Sequence, residues 1–237
     1  MKKAAISLYI IFLILTQYHL LQAQNIYYIN KKIIESLDNL ATLKMLDAPP
    51  PVNYNGSPYA NEGFIRGDIF YDINWKYPDI PLRYNIFNDE MEFKIEGRET
   101  VYALGPDKRI QQVIIQKDTF VVAEYSEKGK RTIGFFRELV KGKIELLARH
   151  QVEFLKERPS NGIQDAEPAK FIRSDDQYYI RRKSETAEKL TSIKKLIESI
   201  GDHQKELKEY SNKHKISKGN ESELIQFISY YNSLDPI

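Results

Sequence analysis

Cysteine is absent from all 237 residues. That removes disulfides, a thiolate nucleophile, cysteine-ligated zinc and a cysteine-borne lipid. A domain of this length can rely on its apolar core instead, which suits a bacterial periplasm or the cell exterior. Histidine is nearly as scarce. His150, His203 and His214 lie beyond the first 24 residues, and none stands in an H-x-x-x-H or H-E-x-x-H pattern. His203 and His214 fall in a Lys/Glu-rich helical stretch and read as solvated. No serine sits in a G-x-S-x-G elbow. "SEKGKRT" lacks the earlier glycine of a phosphate loop and reads as a hairpin tip. "DINWKYPD" shares only Asp72 and Asn74 with a calcium loop, without its glycine and closing glutamate. Arg66-Gly67-Asp68 lies inside an alternating strand, where an integrin reading has no basis. No metal and no cofactor is expected.

Charge of one sign is lacking too. The chain has 35 basic and 33 acidic residues, and losing Lys2 and Lys3 would equalise them. A balanced chain offers no basic patch for nucleic acid. Long apolar runs are missing except at the start. "MKKAAISLYIIFLILTQYHLLQAQ" has two lysines, an apolar run from Ala4 to Leu15 and a small residue at Ala23, the plan of a secretory signal peptide. A membrane anchor would need about 20 consecutive apolar residues, and Gln17, His19 and Gln22 interrupt too early. Cleavage is expected after Ala23 or Gln24, so residues 1–24 form the leader. No integral membrane segment is expected after cleavage.

What is present falls into three parts. In residues 25–62, Ile33, Leu37 and Leu40 share a helical face with Asn30 as N-cap and the Lys44 stem at its end. Pro49 to Pro51 then favour extended chain. Asn55-Gly56 and Ser57-Pro58 add turns, so residues 48–62 read as a linker or a strap. Residues 63–182 read as alternating strands with short connections, which join antiparallel neighbours only. The expectation is an antiparallel meander, curled into a barrel-like or sandwich form to protect its edges. "RTIGFFRELVKGKIELLARH" is apolar on both faces, as central strands covered on both sides would be.

"IPLRYNIFNDEMEFKIEG" carries Asn88, Asp89, Glu90, Glu92 and Glu96 in an apolar setting. Period two puts Met91, Phe93 and Ile95 on one face and Glu92 on the other, read as the solvent side. Asn88-Asp89 and Glu96-Gly97 are turn chemistry. A glycosidase pair must converge at about 5 to 10 Å, so these groups read as hairpin punctuation.

In residues 188–235 the period changes. Ile193, Leu196, Ile197 and Ile200 form one stripe ending at Gly201. Asp202 can cap a second helix with Leu207 and Tyr210 inward. Asn220-x-x-Glu223 opens a third, with Leu224, Phe227, Ile228 and Tyr231 as its stripe. Three short amphipathic helices need mutual packing or the sheet for stability. The fold class expected is therefore α+β, a β-meander followed by a three-helix element.

"GSPYANEGFIRGDIFYD", "IPLRYNIFNDEMEFK", "DAEPAKFIR" and "ELIQFISYYNSL" resemble a group of uncharacterised exported proteins of Bacteroidota-type bacteria, from about residue 55 onward. The resemblance implies a Gram-negative envelope or extracellular setting and brings no activity or catalytic residue. The function expected is an exported, non-enzymatic protein with a binding or structural role, its partner another envelope protein or a glycan. Among 16 tyrosines and one tryptophan, Trp75 and Tyr77 in "NWKYP" are the candidate ligand-binding pair. On a loop between two strands they could stack on a sugar ring or a peptide. A hydrolase would instead need carboxylates from different strands meeting in one cleft. An integral outer-membrane barrel is disfavoured by the Lys- and Glu-bearing helical ending.

Overall fold

Short reversals leave each alternating segment beside its predecessor, and this local rule builds most of the sheet. The computed structural model describes residues 12, 15–22, 43–46, 54–72, 75–95, 97–160, 165–183 and 185–234. Its strands are β1 (Leu43–Leu46), β2 (Tyr54–Asn55), β3 (Ile65–Tyr71), β4 (Trp75–Asn85), β5 (Glu90–Lys94) and β6 (Val101–Leu104). They continue as β7 (Ile110–Ile115), β8 (Asp118–Glu127), β9 (Lys130–Val140), β10 (Glu145–Leu155), β11 (Ala169–Arg181) and β12 (Glu188–Lys189). Helices α1 (Ile193–Ile200), α2 (Gln204–His214) and α3 (Glu221–Ser233) close the described chain. The fold is α+β, and residues 15–22 are also helical. No helix among the described residues is long and apolar enough to cross a membrane.

The strand order is β1-β6-β5-β4-β3-β7-β8-β9-β10-β11-β12, with β2 on β11. Every ladder is antiparallel except β2–β11. Two meanders, β3–β6 and β7–β12, are thus joined at β3–β7 rather than in plain succession. The β6 edge is occupied: β1 pairs with β6 from Leu43↔Leu104 to Leu46↔Val101, and β7 takes the free side of β3. The strand path has two ends and does not close, which corrects the barrel-like expectation. A bridge between Tyr125 and Ala187 ties the region before β12 back to β8.

Three apolar cores follow from the alternation. Side chains of β3 to β9, from Ile69 to Phe135, meet in one cluster, so this half of the sheet coils around them. Phe136, Leu147 and Tyr179 belong to a second, with Tyr125. Leu146 and Ile180 turn the other way and receive Leu196, Ile197, Leu207, Leu224, Phe227 and Ile228 from the helices. In β9 and β10, the neighbours Phe135 and Phe136, and Leu146 and Leu147, are therefore buried on opposite faces. Buried Leu, Ile and Phe side chains each contribute roughly 1.5–3 kcal/mol, more than such short helices could supply alone.

Ser192 Oγ accepts from Lys195 N and Asn220 Oδ1 from Glu223 N, capping α1 and α3. Asp202 does not cap α2. His203 takes the N-cap position in left-handed backbone, and the Asp202 carboxylate accepts from the Tyr231 hydroxyl at 3.4 Å. Most of the helix expected after Asn30, and Pro49 to Pro51, lie outside the described residues. Leu43–Leu46, at the end of that stretch, form a strand. Among the described residues, those from 54 to 64 act as a strap: Ile86 N donates to Pro58 O at 2.8 Å and Ala60 N to Tyr84 O at 2.9 Å.

Candidate functional site

The hairpin of β4 and β5 carries the most concentrated polar chemistry. Glu92 does lie opposite Met91 and Phe93, but that face is not solvent, and Glu92 is 1 % exposed. The strap covers it. Arg83 Nε donates to Glu92 Oε2 at 2.9 Å, and Asn85 Nδ2 donates to Oε1 at 2.9 Å. The Arg83 guanidinium is stacked between Tyr59, at 3.7 Å, and Phe64, at 4.5 Å. Asn85 Oδ1 also accepts from Asn88 N, which ties the ion pair to the turn. Glu92 therefore lies inside, not on the solvent side that the alternation predicts. Alternation identifies a face, and the strap that buries it is 30 residues away.

Asp89, in left-handed backbone as a turn Asp can be, reaches across to two other strands. Its carboxylate accepts from the Tyr84 hydroxyl at 2.7 Å, from Phe135 N at 3.2 Å and from Arg149 at 3.0 Å. A Cβ on Gly134 would stand 2.6 Å from Asp89 Oδ2 and 2.8 Å from the Arg149 guanidinium, so glycine makes the room for this pair. Burial pushes the Tyr84 phenol well above its ordinary value, with the Asp89 charge adding to it. Burial alone would lower the Arg149 guanidinium, but the Asp89 charge and hydrogen bond together with Tyr84 and Tyr125 prevail, and the group stays more firmly protonated.

A third pair lies farther along β10 and β11. His150 Nδ1 is 2.8 Å from Asp176 Oδ1, and Arg137 contacts Asp176 at 3.5 Å, Asp118 at 3.6 Å and Glu221 of α3. Burial raises the Asp176 carboxyl, but the hydrogen bond from His150 and the charges of His150, Arg173 and Arg137 prevail, leaving it below the usual range.

These groups pair acid with base instead of acid with acid. Glu92, Asp89 and Asp176 each meet a cation or amide at bonding distance, an arrangement that holds strands together. Two cavities, of about 170 and 290 Å³, are lined by other residues, including Lys195 and Ser199 in one and Ile193 and Lys208 in the other. Among the described residues no group of three His, Cys, Asp or Glu side chains could hold a metal ion.

Tyr77, half of the aromatic pair read from "NWKYP", is buried and presents no exposed ring. Residues 75–77 belong to β4 rather than to a loop. Trp75 opens the strand opposite Tyr71, and Tyr77 is 2 % exposed in the first core. Exposed rings lie elsewhere. Phe87, at the hairpin tip and 50 % exposed, lies 5.3 Å from Phe171 and 6.2 Å from Phe154. Phe154 and Phe171 are 4.8 Å apart, and Tyr54 of the strap meets Phe171 at 5.0 Å. The cluster forms where β10 and β11 run on as a ribbon past the last β9 pairing at Ala148. Strap, hairpin tip and ribbon each supply part of it. Sequence reasoning missed it because the rings are spread over more than 100 positions. The local clue was an aromatic residue, Phe87, placed beside an Asn-Asp turn. No protein-family model matches this chain, and no curated protein or solved structure matches it either.

Proposed function

We propose that the chain is an exported, non-enzymatic binding protein of a Gram-negative envelope, and that it engages an apolar segment of another envelope protein through the Phe87 cluster. One observation carries the binding role: Tyr54 and Phe87 remain exposed although Phe154 and Phe171 back them on the ribbon. Aromatic residues are enriched at protein interfaces, where rigid rings bury much area at little entropic cost. The rings meet nearly edge to face, at 70° for Phe87–Phe171 and 89° for Tyr54–Phe171. No two offer a common flat surface, which favours apolar side chains over a stacked sugar as the ligand.

The buried pairs support this reading as positioning devices. Asn85 and Glu92 hold the β4–β5 turn from below, and Asp89 ties it to β9 and β10, so Phe87 is presented on a fixed tip. Export is supported by the leader pattern, by the absence of cysteine and by helical residues Leu15, Tyr18, Leu20 and Leu21, all more than half exposed. Photo-crosslinking from position 88 in native envelopes tests the proposal. A specific protein adduct is expected, and Phe87→Ser should abolish it while leaving the melting curve in place. Adduct formation that ignores Phe87→Ser, or retention on a glycan resin that Phe87→Ser removes, would overturn it.

A further inference from the structure

The face of the β10–β11 ribbon that turns away from the aromatic cluster carries a pattern of its own. Across the ribbon Glu153 pairs with Ile172, Phe154 with Phe171 and Leu155 with Lys170. Cross-strand partners share a face and successive residues alternate. Phe154 and Phe171 turn toward Phe87, so Glu153, Leu155, Lys170 and Ile172 occupy the opposite face. Leu155 and Ile172 are large apolar side chains left exposed there, and Glu153 is exposed beside them. Lys170 has a contact to Glu167 at 3.8 Å, with its side chain 38 % exposed. The described pairing of β9 with β10 ends at Ala148, so β9 does not run alongside this stretch.

The four residues form a checkerboard. Leu155 and Ile172 lie on one diagonal, and Glu153 and Lys170 on the other. A second copy laid face to face can relate to the first by a two-fold axis in four simple ways, of which the axis along the Glu153–Lys170 diagonal sets Glu on Glu and Lys on Lys and is excluded by like-charge repulsion. An axis along the strands sets Glu153 on Ile172 and Leu155 on Lys170. An axis across them sets Glu153 on Leu155 and Ile172 on Lys170. Both bury a charge against an apolar side chain, which is costly. An axis along the Leu155–Ile172 diagonal sets Leu on Leu and Ile on Ile, and brings each Glu153 to the other copy's Lys170. The pattern is self-complementary in this one orientation, as an isologous contact requires.

We propose that this face is a self-association surface, on which two copies of the chain cross their ribbons with Leu155 and Ile172 at the centre and two reciprocal Glu153–Lys170 pairs at the rim. The contact leaves Phe87 and Tyr54 free on the far side of each ribbon, so a dimer presents two aromatic clusters. Four residues per copy cover far less than the ~800 Å² per partner of a standard interface. The association is therefore weak and visible only at high concentration, or where the chain is crowded.

Sedimentation equilibrium of the protein as recovered from the envelope, from micromolar to millimolar concentration, tests this. The weight-average mass should climb toward twice the monomer value. Glu153→Lys alone, or Lys170→Glu alone, should weaken association at least tenfold, since each puts like charges together. The double exchange should restore it, which a general loss of fold could not do. Ile172→Ser, a milder change at an exposed position, should abolish the rise with an unaltered melting curve. A mass that stays flat, a double exchange no better than the singles, or association indifferent to Ile172→Ser would each overturn the proposal.

Discussion

Glu92 shows how one buried carboxylate changes role with its cover. Arg83, 18 % exposed and held between two rings, is its counter-ion. Removing one partner of a buried pair leaves the other charge without compensation. Glu92→Ala should therefore cost about 3 kcal/mol, the lower end of the range for a broken buried pair because Arg83 keeps some water. Urea unfolding measures this directly, and a change within about 0.5 kcal/mol, as for a surface residue, would refute the burial argument. Asp176 makes a pH prediction. Its folded carboxyl lies below the ordinary value of 3.8, burial being outweighed by His150, Arg173 and Arg137. A depressed acid adds stability above its unfolded value and loses it as pH falls through the folded one. Stability should thus decline below about pH 4, and Asp176→Asn should flatten that decline in melts taken across acidic pH.

At the scale of elements, the helices stand on the sheet through Ile197 and Phe227, which share a core with Leu146 and Ile180. Ile197→Ala should cost about 2–5 kcal/mol and Phe227→Ala about 3–5 kcal/mol. Denaturant curves that barely move would mean the apolar stripes serve an external partner instead. Between β9 and β10, Gly134→Ala pushes a methyl group into the Asp89–Arg149 pair. A loss of about 1–3 kcal/mol is expected, and the aromatic near-ultraviolet signal should change because Arg149 lies over Tyr125 and Phe136.

For the whole molecule, the third core joins β10 and β11 to all three helices, while the first and second cores share the β8 and β9 strands. Sheet and helices should therefore unfold together. Far-ultraviolet circular dichroism at helical and sheet wavelengths should give coincident transitions, as two-state behaviour demands. Two separated transitions would show the helical element to be an independent unit. Between its β2 and β12 pairings the outer side of β11 is left open, and that stretch carries the exposed charges Arg173 and Asp175 and a register shift near His150.

The chain's own order determined the short-range features. Strand alternation, hairpin reversals such as Asn88-Asp89, the stripes of α1 and α3 and their Ser192 and Asn220 caps are set within a few residues, where backbone geometry and turn chemistry act. The two-sided burial around Phe135–Phe136 and Leu146–Leu147 was legible for the same reason, since an apolar run on both faces needs cover on both. Tertiary structure alone decided what the cover would be. Period two tells that Glu92 opposes Phe93, but only the strap makes its face an interior one. The β3–β7 junction goes with a β6 edge that β1 occupies, and Tyr77 turned inward because β4 begins earlier than the turn-like "NWKYP" suggests. The Phe87 cluster assembles rings from strap, hairpin and ribbon. Such contacts are selected by the packing of the finished sheet, and no local pattern of side chains encodes them.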